Sequence, residues 1–403
     1  MEENQYLYMA DAELTGSSLT APAGAPSETR LQTAGAASTP SVSDRDLPDY
    51  RLRFILLILA AVSCVIASFA VGRFSLDVSD AVLILLSPAF YFGVSLDIPV
   101  LNDILYILLS PLISVAETWD DAMYSVVFNI RLPRILAALL VGAALSTAGA
   151  AYQGMFQNPL VSPDILGASA GAGFGAALAI YCYLGTGAIT LFAFAGGLVA
   201  VGTAYAVSRL TRGNPTLGMV LAGILVASLF SASTSYIKLV ADTNDQLPAI
   251  TYWLMGSLAG ATMEDVYFAG VVIVIGLIPL YLFRWRMNVL TLGEDEAKSM
   301  GINTHLLRLI VILCATLVTA VAVSISGIIG WVGLVIPHFC RMIFGYDYRR
   351  IIPAAIVMGG GFLLLVDNFA RTIATTEVPL GILTAFVGAP IFAYLLMMGG
   401  KRS

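Results

Sequence analysis

Apolar residues form long runs along most of the chain, and charged residues gather at the ends of these runs. Each run has about 20 residues, the length that an α-helix needs to cross a hydrocarbon core about 30 Å thick. We predict ten such spans, near residues 54–72, 135–153, 164–184, 187–208, 216–237, 265–283, 305–326, 328–344, 351–370 and 379–398. The eighth is short and interrupted by glycine and proline. The pattern predicts an all-α, polytopic membrane protein.

Composition agrees with lipid as the main solvent. Of the 403 residues, 58% are hydrophobic and 11% are charged, whereas soluble domains are about 45–50% apolar and about 25% charged. The net charge of −6 and the absence of a basic run disfavour binding of nucleic acid. The four cysteines lie singly in apolar stretches, which is typical of small core residues rather than disulfides or metal ligands.

The chain divides into a polar segment, 1–50, and an apolar part, 51–403. Residues 1–50 are rich in Ala, Ser, Thr, Gly and Pro and have few large apolar side chains. Such a segment buries too little apolar surface to fold. It also lacks the basic and apolar regions of a secretory signal. We therefore expect a disordered cytoplasmic tail followed by a transmembrane domain.

Basic residues predict the orientation of the spans. If the amino terminus is cytoplasmic, thirteen bases near the spans lie inside: Arg51, Arg53, Arg209, Arg212, Arg284, Arg286, Lys298, Arg308, Arg341, Arg349, Arg350, Lys401 and Arg402. Five lie outside: Arg73, Arg131, Arg134, Lys238 and Arg371. Cytoplasmic loops carry an excess of Lys and Arg, so both termini are expected in the cytoplasm.

The outer segment 73–130 contains a local duplication. Asp80–Pro88 and Asp103–Pro111 share an apolar stretch that ends in Leu-Leu-Ser-Pro. Each stretch is shorter than a comfortable span, which favours two short helices on the outer membrane surface over two further spans.

Charged residues inside the predicted spans are few. Asp164 lies at the start of a span, and Asp367, the one acid well inside a span, can pair with Arg371 at i,i+4 spacing. Proton or sodium relays use several intramembrane acids or histidines, so an ion-driven carrier is disfavoured. No lysine lies in a phosphate-binding loop, which means that ATP hydrolysis requires a partner.

Two further patterns concern packing and partners. Gly167, Gly171 and Gly175 share one face of the third span, and we interpret them as a site of close helix packing. In the cytoplasmic segment 284–305, Leu292–Met300 can form a short amphipathic helix that ends at Gly301. This helix is a candidate docking site, with a solvated loop as the alternative interpretation.

The outer arginines Arg131, Arg134 and Arg371 are exceptions to the charge asymmetry. They are either ordinary anchors at the membrane interface or water-facing points for a bidentate contact with carboxylates of a soluble protein.

Several motifs together resemble the permeases of binding-protein-dependent ABC importers for iron chelates and cobalamin. The resemblance covers about residues 50–400. It rests on Arg131–Leu145, Gly149–Gly167, Leu292–Ile302, Gly333–Arg341, Asp367–Arg371 and Pro379–Pro390. The acidic tail and the long segment 73–130 depart from the family pattern.

The resemblance implies a type II importer permease. Two ten-helix chains would form a homodimer around a central pathway, with two ATPase subunits below and an extracytoplasmic substrate-binding protein above. It implies three groups of site residues: ATPase coupling by Leu292, Gly293, Glu294, Ala297 and Gly301; binding-protein docking by Arg131, Arg134 and Arg371; and a cytoplasmic gate of Asn158, Leu160 and Thr216.

The expected function is translocation of a large metal chelate (cobalamin, a ferric siderophore or haem) across the cell membrane. ATP hydrolysis in the partner would bias the bundle between inward-open and outward-open states. The chain itself would hold no cofactor or metal and perform no chemical step. An ion-coupled secondary transporter is the alternative. A membrane-embedded enzyme is a third hypothesis, and no cluster of His, Asp or Glu in the sequence supports it.

Overall fold

The computed structural model describes residues 50–72, 74, 80–81, 84–85, 121–211 and 215–399, and all regular structure in them is helical. The helices are α1 (Tyr50–Ala70), α2 (Asp121–Ser125), α3 (Leu132–Met155), α4 (Ala168–Tyr181), α5 (Thr186–Leu210), α6 (Pro215–Val240), α7 (Gln246–Met255), α8 (Met263–Leu282), α9 (Arg284–Leu290), α10 (Glu294–Ser299), α11 (Thr304–Ser326), α12 (Val332–Phe344), α13 (Tyr348–Thr372) and α14 (Leu380–Gly399). A π-helical turn, Val126–Arg131, joins α2 to α3, and a 3-10 turn, Pro163–Leu166, precedes α4.

Seven helices in the described part of the chain are long and apolar enough to cross a membrane. They are α1, the continuous helix Ala122–Met155, α5, α6, α8, α11 and α13. The other three predicted spans coincide with shorter apolar stretches of helix: α4, α12 and the part Leu380–Tyr394 of α14. The all-α, polytopic prediction is confirmed, and the number ten stays a prediction.

Helix α3 lies at the centre of the bundle, and most of its residues are buried. Small side chains let neighbouring backbones approach it closely. A Cβ at Gly142 would lie 2.2 Å from the carbonyl oxygen of Gly359 in α13, and one at Gly149 would lie 1.8 Å from that of Gly333 in α12. Only glycine fits at these two crossings, which fix how α12 and α13 pack on α3.

The predicted glycine face of the third span is confirmed at two of its three positions. A Cβ at Gly171 would lie 2.3 Å from the Gly196 carbonyl oxygen, and one at Gly175 would lie 2.0 Å from that of Phe192, both in α5. Gly167 differs, because its φ of +84° ends the 3-10 turn before α4 begins. The helix in span 164–184 is therefore only 14 residues long.

The eighth predicted span, 328–344, is shorter than expected. Helix α11 ends just before Gly327, whose φ is +67°, and Trp331 also has a positive φ, +70°. Neither conformation continues a helix, so α12 begins only at Val332.

The outer segment 73–130 ends earlier than predicted, since residues from Asp121 onward are helical and run into α3. Of the duplicated stretches, residues 80–81 and 84–85 are helical, and the others lie outside the described residues. The predicted tail, 1–50, also lies outside them except for Tyr50, the first residue of α1.

Candidate functional site

Asp367 lies in α13 at one end of the bundle, where it joins two arginines. The Nε of Arg134 donates to both carboxylate oxygens of Asp367, at 3.0 Å each, and its Nη2 donates to Oδ1 at 2.7 Å. The Nε of Arg371 lies 3.3 Å from Oδ2, which confirms the predicted i,i+4 pair. The Asp367 side chain is fully buried, so these contacts are required to offset its lost hydration.

Glu377 adds a second carboxylate to this network. It lies in the connection 373–379 between α13 and α14, and its Oε1 accepts from Nη2 of Arg134. The Glu377 side chain is 22% exposed, whereas the Asp367 side chain is fully buried. Arg134 is therefore held by one fully buried carboxylate and by one that reaches water.

Arg131 occupies the last position of the π-helical turn before α3. Its Nη1 donates to the carbonyl oxygen of Phe69 and its Nη2 to that of Phe74, so this guanidinium ties the end of α1 to the start of α3. No carboxylate among the described residues pairs with it. The cluster of three arginines and two acids thus carries one excess positive charge.

We call Arg131, Arg134 and Arg371 the outer arginine cluster. Arg131 and Arg134 are only 3% and 7% exposed, so these two guanidinium groups do not face water freely. Docking at the three arginines stays a prediction. The acids that hold Arg134 and the carbonyl oxygens that hold Arg131 are distant in sequence, so spacing could not reveal these contacts. The cluster nevertheless lines a cavity of about 250 Å³, together with Glu377.

The predicted gate residues Asn158 and Leu160 lie in the turn that follows α3. Asn158 Oδ1 accepts from the Leu160 N–H at 2.9 Å, which holds the turn, and the Leu160 side chain is half exposed, at 52%. Thr216, in the first turn of α6, lines a different cavity, of about 150 Å³. Met155 and Phe156 line that cavity as well, but Asn158 and Leu160 do not.

Gln157, which sequence analysis did not single out, connects this turn to the segment after α8. Its φ of +51° is uncommon for a residue with a side chain, and its Nε2 donates to the Leu290 carbonyl oxygen at 2.6 Å. The contact joins the turn after α3 to the last residue of α9. No sequence pattern marks a glutamine for this role.

Helix α10 forms within segment 284–305, which we call the predicted coupling segment, but it is shorter than expected. It begins at Glu294 instead of Leu292, because Gly293 has a φ of +137°. Gly301, with a φ of +76°, ends it as predicted, and the Ile302 N–H donates back to the Ala297 carbonyl oxygen at 3.0 Å. Ala297 is fully buried and Leu292 is exposed.

Helix α9, in the part of this segment expected to be a connection, anchors α10 to the bundle. Asn288 Nδ2 donates to Asp347 Oδ1 at 2.6 Å, and its Oδ1 accepts from the Tyr348 N–H at 2.7 Å. These bonds fix α9 at the start of α13, whose other end carries Asp367 and Arg371. A single helix thus connects the predicted coupling segment to the outer arginine cluster.

Comparison with known proteins identifies the family. A sequence model of the FecCD transport family matches residues 60–398, nearly the whole helical part of the chain. The chain belongs to the FecCD transport family. The molybdate import system permease MolB of Haemophilus influenzae is 36% identical over 355 residues, which are 87% of this chain and 98% of MolB.

Two further relatives agree with this family. The cobalamin import system permease BtuC of Halobacterium salinarum is 41% identical over 275 residues, 67% of this chain and 73% of that protein. A solved structure of an ABC transporter assigned to the metal-chelate type, in an inward-facing conformation, matches with a TM-score of 0.73 and 34% identity. The match covers 87% of this chain and all of that one.

Membership of the family decides between the hypotheses drawn from the sequence. The chain is a permease of an ABC importer and a multi-pass protein of the cell membrane. Its relatives are transport components, so neither an ion-coupled secondary carrier nor a membrane-embedded enzyme is supported.

Proposed function

We propose that this chain translocates a large metal chelate, such as cobalamin, a ferric siderophore or haem, into the cytoplasm. In this proposal two copies form a homodimer with two ATPase subunits, and an extracytoplasmic substrate-binding protein delivers the cargo. The family match across residues 60–398 is the observation that carries the proposal. One relative is named for import of cobalamin, which supports this substrate class, and another is named for import of molybdate, which is not a chelate.

The cytoplasmic side of the proposal concerns the segment after α8. Leu292, Gly293, Glu294, Ala297 and Gly301 would contact the ATPase, and Asn158, Leu160 and Thr216 would close the inner end of the pathway. The bond from Gln157 to the Leu290 carbonyl oxygen supports this arrangement, because it joins the coupling segment to the turn that carries Asn158 and Leu160. Movement of α9 and α10 would then reach the gate directly.

The outer side of the proposal concerns docking of the binding protein. The outer arginine cluster lines a cavity and, counted together with Asp367 and Glu377, has one excess positive charge, which suits a carboxylate from a soluble partner. Because Arg134 and Arg371 already hold Asp367, docking would extend an existing network rather than engage free side chains.

Uptake by proteoliposomes tests the proposal. The permease and its ATPase would be reconstituted with the binding protein, which is first loaded from a panel of cobalamin, haem, a ferric siderophore and molybdate. We expect uptake of one chelate that requires ATP inside the vesicle. Uptake driven by an ion gradient without ATP would contradict an importer of this type, and exclusive uptake of molybdate would contradict the substrate class.

Gly301→Val in the same vesicles tests the coupling segment. A β-branched residue is strained at a φ of +76°, so α10 would end differently. We expect hydrolysis of ATP to continue while uptake per ATP falls about tenfold or more, the size of effect that misplacement of a functional element produces. Gly301→Asn, which tolerates this conformation, is the matched control. Unchanged uptake in the valine variant would count against coupling through α10.

A further inference from the structure

Glu377 and Asp367 contact the same nitrogen of Arg134 but differ in how firmly they are held. Asp367 Oδ1 lies 2.7 Å from Nη2 and is also bound by Nε of Arg134, and its other oxygen lies 3.3 Å from Nε of Arg371. Glu377 contacts only Nη2. Asp367 is fixed on a buried helix, whereas Glu377 lies in a short connection next to exposed residues.

A guanidinium Nη carries two hydrogens, and both of those on Arg134 Nη2 are used by these two carboxylates. Any further carboxylate at this nitrogen must displace one of them. Displacement of Asp367 would separate a fully buried carboxylate from two guanidinium groups and leave Arg371 without its acid, which is strongly unfavourable. Displacement of Glu377 is far easier, because partly exposed ion pairs contribute little to stability.

We propose that Glu377 is a built-in competitor for the docking partner of the permease. In the undocked protein its carboxylate occupies Arg134, and on docking a carboxylate of the binding protein takes its place while Glu377 moves into water. The inference rests on the proposed docking at the outer arginine cluster. It adds that docking exchanges one ion pair for another at Arg134, so that the partner binds less tightly and leaves more readily.

Arg131 gives the exchange a starting point. Its hydrogen bonds go to the carbonyl oxygens of Phe69 and Phe74, which carry no net charge, so its positive charge is available to attract an acidic surface. It lines the same cavity as Arg134 and Glu377. An acidic partner would therefore be attracted first by Arg131 and then compete for Arg134.

Binding of the cognate substrate-binding protein to the permease–ATPase complex in nanodiscs tests the inference. We expect Glu377→Gln to lower the dissociation constant about fivefold, the effect of removing a competing ion pair worth about 1 kcal/mol. Glu264→Gln is the matched control, because Glu264 is exposed in the first turn of α8 and the predicted topology places it on the same side. It removes the same charge and is expected to change the constant less than twofold.

Hydrogen exchange of the permease alone gives a second measurement, which needs no partner. Loss of the contact with Arg134 should speed exchange of the backbone amides in residues 373–378. Glu377→Asp has a side chain one methylene shorter. Its dissociation constant and its exchange rates should lie between those of Glu377→Gln and the wild type. This variant also tests the inference if Glu377→Gln folds poorly.

The outcomes separate the inference from the proposal beneath it. If the wild-type complex binds its partner and Glu377→Gln binds equally or more weakly, Glu377 does not compete, but the proposal that the permease docks a binding protein is not contradicted. If Glu264→Gln strengthens binding as much as Glu377→Gln, the effect is one of overall charge, and the inference fails. If the wild-type complex does not bind, the docking proposal itself fails and the inference falls with it.

Discussion

Asp367 illustrates what spacing along one helix can and cannot predict at the scale of a single residue. Its pairing with Arg371 follows from the i,i+4 relation and is confirmed. Its strongest contact, to Arg134, joins residues 233 positions apart in sequence and could not be predicted. The same limit applies to Arg131 and Arg134, whose partners are carbonyl oxygens and acids from distant parts of the chain rather than water.

Asp367→Asn should lower the free energy of unfolding by about 3 kcal/mol, because the Arg371 guanidinium loses its charged partner and the buried Arg134 keeps only the partly exposed Glu377. Reversible SDS titration of the purified permease would measure the change. Asp245→Asn, at an exposed position without a side-chain cap bond, is the control and should change it by less than about 0.5 kcal/mol. A similar small change in both variants would show that the network adds nothing to stability.

At the scale of helices, the hydropathy pattern located every described membrane helix, but local backbone conformation decided where several helices begin. Gly167, Gly293 and Trp331 all have positive φ values, and each directly precedes a helix that begins later than predicted. A glycine in a sequence is compatible with a helix interior, a close crossing or a left-handed cap. Only the position of the neighbouring elements decides which of these it adopts.

Gly171→Ala tests the packing of α4 on α5. The added Cβ would lie 2.3 Å from the Gly196 carbonyl oxygen, which is backbone and cannot yield without a shift of the helix. We expect a loss of about 2 kcal/mol in the free energy of unfolding, within the range for overpacked sites. Gly202→Ala, in α5 where a Cβ meets open space, is the control and should be neutral or slightly stabilising. Equal stability of the two variants would contradict the close crossing.

At the scale of the whole molecule, α13 connects the two ends of the bundle. It has 25 residues and is therefore about 38 Å long, with the bonds to Asn288 at its start and the outer arginine cluster at its end. Such a helix can pass a rigid-body displacement from the predicted coupling segment to the outer arginine cluster. The prediction that both termini are cytoplasmic places the arginine cluster outside the cell.

Cys182 offers a test of this orientation, because it is the exposed one of the four free cysteines. It follows α4 and precedes α5, in a connection that the predicted topology places outside. We expect a membrane-impermeant maleimide to label intact cells that produce the wild-type chain, and not those that produce Cys182→Ser. Labelling that appears only after the cells are permeabilised would mean that the orientation is inverted.

The sequence alone determined that lipid surrounds most of this protein, where its helices lie, and which family its motifs resemble. These properties follow from local runs of apolar residues and from contiguous motifs, which need no knowledge of distant contacts. The tertiary structure alone decided that Arg134 and Arg371 share Asp367, that Glu377 occupies Arg134, and that Gln157 joins the turn after α3 to α9. Each of these depends on side chains that only the packing of separate helices brings together, since burial makes an unpaired charge or polar group too unfavourable to leave without a partner.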